Sequence, residues 1–136
     1  MSPRCALCKG DGGVVVWRDA QCRVVRADVA GYPGFLRVVL GRHVAEMTDL
    51  APAERDRLMH VVFAVERVLR DLYRPDKVNL ASFGNQVPHL HWHVIPRYRD
   101  DPHFPEPVWG AQQRAAAART DVADAQLGAR LSQLLD

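Results

Sequence analysis

The chain has 136 residues, of which 48% are apolar and 25% charged, and its formal net charge is +2. This size and composition are those of one soluble globular domain with a core that needs no disulfides. The charge balance excludes the basic footprint of a long nucleic-acid binder, and no apolar run approaches the roughly 20 residues that cross a bilayer. Six histidines and three cysteines stand out.

The amino-terminal segment is rich in turn residues and carries two of the cysteines. Met1–Arg4 lacks the apolar core of a signal peptide, so the cytoplasm is the expected compartment. Cys5 and Cys8 lie on a predicted tight loop, and the two residues between them allow both sulfurs to bind one tetrahedral zinc ion. Two other interpretations stay open at this point, a redox pair and a pair of reduced thiols without a ligand.

Short valine-rich segments separated by turn residues predict five strands. They cover residues 14–17, 22–26, 35–40, 78–82 and 90–95. Between the third and the fourth, from Pro52 to Tyr73, apolar residues recur at spacings of three and four, which predicts one long amphipathic helix. Cys22 falls within the second strand, and we expect it to be a small buried apolar residue.

The carboxy-terminal part of the chain differs in composition. Residues 102–109 contain three prolines and predict a surface loop, in which His103 and Trp109 are placed to fold over a site. Residues 112–135 are rich in alanine, which predicts one helix or two short helices broken near Gly128. We therefore expect a main domain over residues 1–110 and a helical extension of it over residues 111–136.

The most informative segment covers residues 89–95 and reads HLHWHVI. In an extended strand His89, His91 and His93 share one face, and the apolar residues between them share the other. Imidazoles grouped in this way can bind a metal that activates water, or can attack a phosphorus centre directly. A solvated polar face without chemistry is the third possibility. Arg97 and Arg99, which follow the segment, favour an anionic ligand.

Every position of HLHWHVI matches the motif His-φ-His-φ-His-φ-φ, in which φ is apolar, and the chain thereby resembles the histidine triad (HIT) family. The resemblance extends to PGFLRVV at residues 33–39, to the segment beginning at Arg42 and to NQV at residues 85–87. It implies an α+β, HIT-like fold with a five-stranded antiparallel sheet, one long helix and a helical tail. It also implies a catalytic role for residues 1–110 and a homodimer.

The resemblance assigns catalytic roles to individual residues. His91 takes the place of the family's nucleophile, which attacks the α-phosphate of a nucleotide and forms a nucleotidyl-histidine intermediate. His93 is expected to bind phosphate oxygens, and His89 completes the triad. Gln86 is expected beside the leaving group.

The resemblance also suggests substrate-binding residues. Asn85 takes the position of the family's Gln, and Ser82 is the candidate for a phosphate contact, with Asn79 as its competitor. Asp28 is the candidate for binding the ribose. The expected substrate is a small nucleotide, such as a dinucleoside polyphosphate, a nucleoside phosphoramidate or an adenylylated metabolite. A metal-dependent hydrolase that uses the histidines and a non-catalytic nucleotide-binding module are the alternatives.

In zinc-bearing relatives the Cys-x-x-Cys pair is completed by two histidines, which correspond here to His43 and His89. The resemblance therefore implies a structural zinc ion held by Cys5, Cys8, His43 and His89, with no cofactor required for the chemistry. Such an ion leaves His91 and His93 free to act on a substrate.

Overall fold

The computed structural model describes residues 4–136, and its central feature is one five-stranded sheet. Residues 1–3, which belong to the segment examined above for a signal peptide, lie outside the described residues. The strand order is β1-β2-β3-β5-β4, and every neighbouring pair is antiparallel. The elements are α1 (Ala6–Lys9), β1 (Val15–Arg18), β2 (Cys22–Arg26), β3 (Leu36–Leu40), α2 (Pro52–Tyr73), β4 (Lys77–Ala81), β5 (His91–Arg97) and α3 (Asp124–Leu135).

The alternation of side chains along the strands divides the sheet into two faces. One face packs against the apolar side of α2 and forms the main core. The opposite face carries Val25 and Val39, which pack against Cys5 and Leu7 of the amino-terminal segment. Helix α2 has the predicted bounds, and its buried residues are Leu58, Val61, Val62, Ala64, Val65, Val68, Leu69 and Tyr73. The predicted α+β fold and five-stranded sheet are confirmed, and Cys22 is buried as expected.

The carboxy-terminal prediction was wrong in two respects. Residues 112–123 have no regular secondary structure, and Gly128 lies inside α3 rather than at a break. A Cβ at Gly128 would stand 2.6 Å from the carbonyl oxygen of Val16, so glycine lets the helix approach β1 closely. Leu127, Leu131 and Leu135 on this helix join the main core. The domain division at residue 110 stays a prediction.

Strand β5 is longer than predicted, because it continues through Pro96 to Arg97. Its pairing with β3 ends where Leu36 lies opposite Val94, whereas its pairing with β4 continues to the end. A proline is tolerated in a strand where one side has no backbone hydrogen bonds for it to interrupt. No helix among residues 4–136 is long and apolar enough to cross a membrane.

Candidate active site

The three histidines of the motif lie on one face of the sheet but in two different environments. His91 and His93 belong to β5 and line an open cavity of about 640 Å³. His89 precedes the strand and is fully buried. The other residues lining the cavity are Ala6, Leu7, Gly12, Arg37, Phe83, Gly84, Asn85, Gln86, Val87 and Trp109.

The ring of His91 is held by a backbone hydrogen bond. Its Nδ1 lies 2.7 Å from the carbonyl oxygen of His89, which can only accept, so Nδ1 carries the proton. In the neutral ring this leaves Nε2 with a lone pair. The Ser82 hydroxyl donates to the His91 carbonyl oxygen at 2.8 Å and fixes the backbone at the same residue. The arrangement gives His91 the tautomer that a nucleophilic imidazole requires.

His93 lies deeper than His91, among aromatic side chains. Its ring centroid is 5.0 Å from that of Trp109, 5.1 Å from that of His91 and 5.7 Å from that of Phe35. Burial, with smaller contributions from the charges of His91 and Arg37, lowers the pKa of His93 to about 4. His93 is therefore a neutral hydrogen-bonding group at physiological pH. Its Nδ1 is buried and has no hydrogen-bond partner among the described residues.

A buried ion pair fixes the segment that leads from β5 to Trp109. Both guanidinium ends of Arg97 bond to the Asp101 carboxylate, at 2.7 and 3.0 Å, and both residues are almost fully buried. Asp101 also accepts from the amides of Tyr98, His103 and Phe104, and these contacts hold its pKa well below the usual range despite its burial. Arg97 is thus occupied within the protein and is not the cation at the cavity.

The substrate-binding candidates and Gln86 lie in four different places. Asn85 and Gln86 line the cavity beside His91, as the resemblance implies. Asn79 lies elsewhere, because its amide oxygen accepts from Arg97 at 2.8 Å. Asp28 lines a second, larger cavity of about 980 Å³ and is not among the residues around His91. Ser82 supports the His91 backbone through the hydrogen bond described above.

His103 has a structural position rather than a place in the cavity. Its Nδ1 lies 2.6 Å from the hydroxyl of Tyr32, and the two rings are stacked. Trp109, by contrast, reaches the cavity as the sequence suggested.

Cys5, Cys8, His43 and His89 form a group that can hold a metal ion, with their ligand atoms all within 4.8 Å of one another. Nδ1 of His89 lies 3.4 Å from the Cys5 sulfur and 3.5 Å from the Cys8 sulfur, and Nδ1 of His43 lies 3.4 Å from Cys8. A tetrahedral zinc ion with ordinary bond lengths separates sulfur and nitrogen ligands by about 3.5 Å. The four residues therefore fit a zinc ion, as the resemblance to the family implies.

The second nitrogen of His89 strengthens this fit. Nε2 lies 2.6 Å from the carbonyl oxygen of Leu40 and therefore carries the proton, which leaves Nδ1 to face the two sulfurs. A backbone acceptor on the far nitrogen is the usual support of a metal-binding imidazole. Burial lowers the pKa of His89 and keeps the ring neutral, as a metal ligand must be.

Two features of the cavity were not predicted from the sequence, namely Arg37 and the contact between Phe83 and Trp109. Arg37 lies directly opposite His93 in the pairing of β3 with β5. The rings of Phe83 and Trp109 meet edge to face at 5.0 Å at the cavity mouth. A signal for Arg37 was present, because it is the one polar residue in the strand LRVVL. The pairing that places Arg37 opposite His93 could be assigned only from the strand order of the sheet.

Comparison with known proteins identifies the family. Residues 11–100, more than half of the chain, match the family model described as the HIT domain, and the chain belongs to that family. Among solved structures, a histidine triad protein from Bradyrhizobium japonicum is 31% identical, with a TM-score of 0.72 and 92% of each chain covered. The predicted family and fold are thereby confirmed.

Two curated relatives carry enzyme names. An AP-4-A phosphorylase from Mycobacterium tuberculosis (strain CDC 1551 / Oshkosh) is 34% identical over 86 residues, which are 59% of this chain and 44% of the relative. A Bis(5'-adenosyl)-triphosphatase from Saccharomyces cerevisiae (strain YJM789) is 33% identical over 73 residues, 49% of this chain and 35% of the relative. The chain thus spans less than half the length of these relatives.

Proposed function

We propose that the protein is a nucleotide hydrolase or nucleotidyl transferase that attacks the α-phosphate of a dinucleoside polyphosphate or a nucleoside phosphoramidate through a nucleotidyl-His91 intermediate. The observation that carries the proposal is the hydrogen bond from Nδ1 of His91 to the His89 carbonyl oxygen, since it leaves Nε2 as a nucleophile in the cavity. The names of the two curated relatives support a substrate of the diadenosine polyphosphate class.

In the first step Nε2 of His91 forms a bond to the α-phosphorus, and the bond from that phosphorus to the leaving group breaks. Electrons of the broken bond leave with the leaving group, which departs as an anion when it is a phosphate and takes up a proton from solvent when it is an amine. His93, being neutral, contributes an N–H donor to the phosphate oxygens rather than a charge. Gln86 lies in the same cavity, where its amide can contact the leaving group.

In the second step a water molecule attacks the same phosphorus, and the bond between phosphorus and Nε2 breaks. The nucleoside monophosphate leaves, the water proton passes to the product phosphate or to solvent, and His91 returns to its neutral form. Throughout, the His89 carbonyl oxygen accepts the hydrogen bond from Nδ1–H and stabilises the positive charge that the ring carries in the intermediate. An acceptor other than water gives nucleotidyl transfer by the same route.

The position of His89 argues against a metal hydrolase built on all three histidines. Both of its ring nitrogens are engaged away from the cavity, one with the Leu40 carbonyl oxygen and the other with Cys5 and Cys8. We propose instead that Cys5, Cys8, His43 and His89 bind a structural zinc ion. Its role is to tie the amino-terminal segment to the sheet, and the chemistry requires no cofactor.

The proposal includes the partner, the assembly and the location. The partner is a small nucleotide, because the cavity of about 640 Å³ has the size of a small-molecule site. The assembly is a homodimer, as the resemblance to the family implies. β4 is an edge strand of the sheet in the described protomer, so one side of it is available for a partner. The location is the cytoplasm.

Replacement of His91 by alanine tests the catalytic proposal. We expect turnover of diadenosine tetraphosphate by the purified protein, and a loss of at least about a thousandfold in kcat for His91→Ala, because the nucleophile is removed. His60→Ala on the exposed side of α2 is the matched control and retains the wild-type rate. Undiminished turnover by His91→Ala would refute the proposal, and tight nucleotide binding without turnover by the wild-type protein would favour a binding module.

A further inference from the structure

Arg37 brings a fixed positive charge to the cavity beside the nucleophile. It lies on β3 opposite His93, on the face of the sheet that carries His91, and its side chain lines the cavity. Every other lining residue among the described residues is apolar, an amide or a histidine. No carboxylate lines this cavity in residues 4–136, so the charge of Arg37 is not compensated there.

The two buried arginines of the described chain have partners, and the half-buried Arg37 differs from them. Arg97 is bonded to Asp101, and Arg23 donates to the carbonyl oxygens of Leu7, Gly10 and Asp11. Arg37 has no ion pair within the described chain, and its Nε atom is buried without a hydrogen-bond partner. The guanidinium carbon of Arg37 lies 5.9 Å from the centroid of the Phe35 ring, which is a cation–π contact.

A partly buried guanidinium without an anion is unfavourable in the free protein, because burial weakens its hydration and nothing replaces it. An arrangement of this kind is compensated when an anionic ligand enters. The planar guanidinium offers a fork of N–H donors that matches the oxygens of a phosphate group. The cavity therefore favours a ligand with more negative charge than neutral imidazoles alone would favour.

We propose that Arg37 is a specificity-determining residue that binds a phosphate group of the leaving group, so that the protein prefers dinucleoside polyphosphates to nucleoside phosphoramidates. This inference rests on the proposed function and narrows its substrate class. A polyphosphate carries negative charge beyond the α-phosphate, whereas the leaving group of a phosphoramidate is an amine, which takes up a proton and carries no negative charge. Only the first type of substrate gives Arg37 an anion in addition to the α-phosphate that both types share.

The test compares two substrates in four proteins. The ratio of kcat/KM for diadenosine tetraphosphate to kcat/KM for adenosine 5′-phosphoramidate is measured for the wild type, Arg37→Gln, Arg37→Lys and Arg70→Gln. Loss of a charged hydrogen bond predicts that Arg37→Gln lowers this ratio by about 10- to 100-fold. Arg70→Gln, a change at an exposed residue of α2, keeps the wild-type ratio. Arg37→Lys retains the charge but not the fork, and an intermediate ratio is expected.

An equal loss of kcat/KM on both substrates would overturn the inference, because Arg37 would then serve the shared α-phosphate or the fold. Binding measurements separate this outcome from failure of the proposed function. In the His91→Ala background, calorimetry should show that Arg37→Gln weakens binding of diadenosine tetraphosphate at least about tenfold more than binding of adenosine monophosphate, which has the α-phosphate but no leaving group. If this difference is found and the wild-type protein turns over neither substrate, the proposed function is refuted and the role of Arg37 is kept. No difference would overturn the role of Arg37 even where turnover occurs.

Discussion

His89 and His91 are only two positions apart in the chain, but the imidazole has opposite roles at the two places. At the His89 end the imidazole is fully buried, and both of its nitrogens are bonded, one to a backbone carbonyl oxygen and the other to two sulfurs. At the His91 end only Nδ1 is bonded to the backbone, and the ring lines an open cavity with His93. The alternation of a strand places equivalent side chains on one face, and the surroundings of each decide its chemistry.

The surroundings differ because separate parts of the chain cover the two ends. The amino-terminal segment with Cys5 and Cys8 closes over His89, and His43 completes the group. The segment after β5 brings Trp109 to the cavity of His91 and His93. One end is therefore a closed group of four potential ligands, and the other keeps room and donors for a substrate.

The largest expected effect on stability concerns the support of the open end. Asp101→Asn leaves Arg97 buried without its partner carboxylate, and we expect it to lower the free energy of unfolding by about 3–5 kcal/mol. Asp100→Asn, at an exposed neighbouring carboxylate, is the matched control, with an effect below about 1 kcal/mol. Urea unfolding of the two variants measures the difference. Equal stability of both variants would show that the ion pair does not hold this segment.

The second prediction concerns the closed end. Removal of zinc by a chelator, or the change Cys8→Ser, should lower the free energy of unfolding by about 3 kcal/mol and the Tm by about 10 °C. The physical reason is that an ion bound only by the folded chain stabilises it by mass action. Differential scanning calorimetry with and without added zinc measures the shift. Cys22→Ser, outside the four-residue group, provides the control, because its Tm should respond to added zinc as the wild type does.

The smallest expected effect is the pH response of the open end. Burial lowers the pKa of His93 to about 4 from an ordinary value of 6.5, so the folded state favours the neutral ring. The resulting stability is complete above pH 6.5 and is lost as the pH falls through about 4. Between pH 7 and pH 5.5 the loss should be roughly 1 kcal/mol. His93→Gln should lack this component in urea unfolding, and an unchanged pH profile in that variant would contradict the assignment.

The sequence carried enough information for the elements that repeat a local pattern. The spacing of apolar residues located α2 with its observed bounds, and the alternation around His91 placed His91 and His93 on one face. The Cys-x-x-Cys spacing located the group that can hold a metal ion once the family resemblance supplied His43 and His89. Each of these features is set by residues close in sequence or by a motif with fixed spacing.

Features that depend on distant contacts were not predictable in this way. The alanines at residues 115–118 favour a helix, but they are exposed, and Arg114 holds the chain by donating to the carbonyl oxygens of Asp101 and Phe104. Gly128 resembles a helix breaker until its approach to Val16 is known. The position of Arg37 opposite His93 follows from the order of strands, which no local pattern specifies.

Mass spectrometry of the protein quenched by denaturant during a single turnover of diadenosine tetraphosphate tests the central claim most directly, with and without prior removal of metal. The account predicts one nucleoside monophosphate attached to His91 in both samples, because the chemistry belongs to the open end and the metal to the closed end. Turnover that leaves His91 unmodified, or turnover that is abolished by metal removal and restored by added zinc, would contradict it.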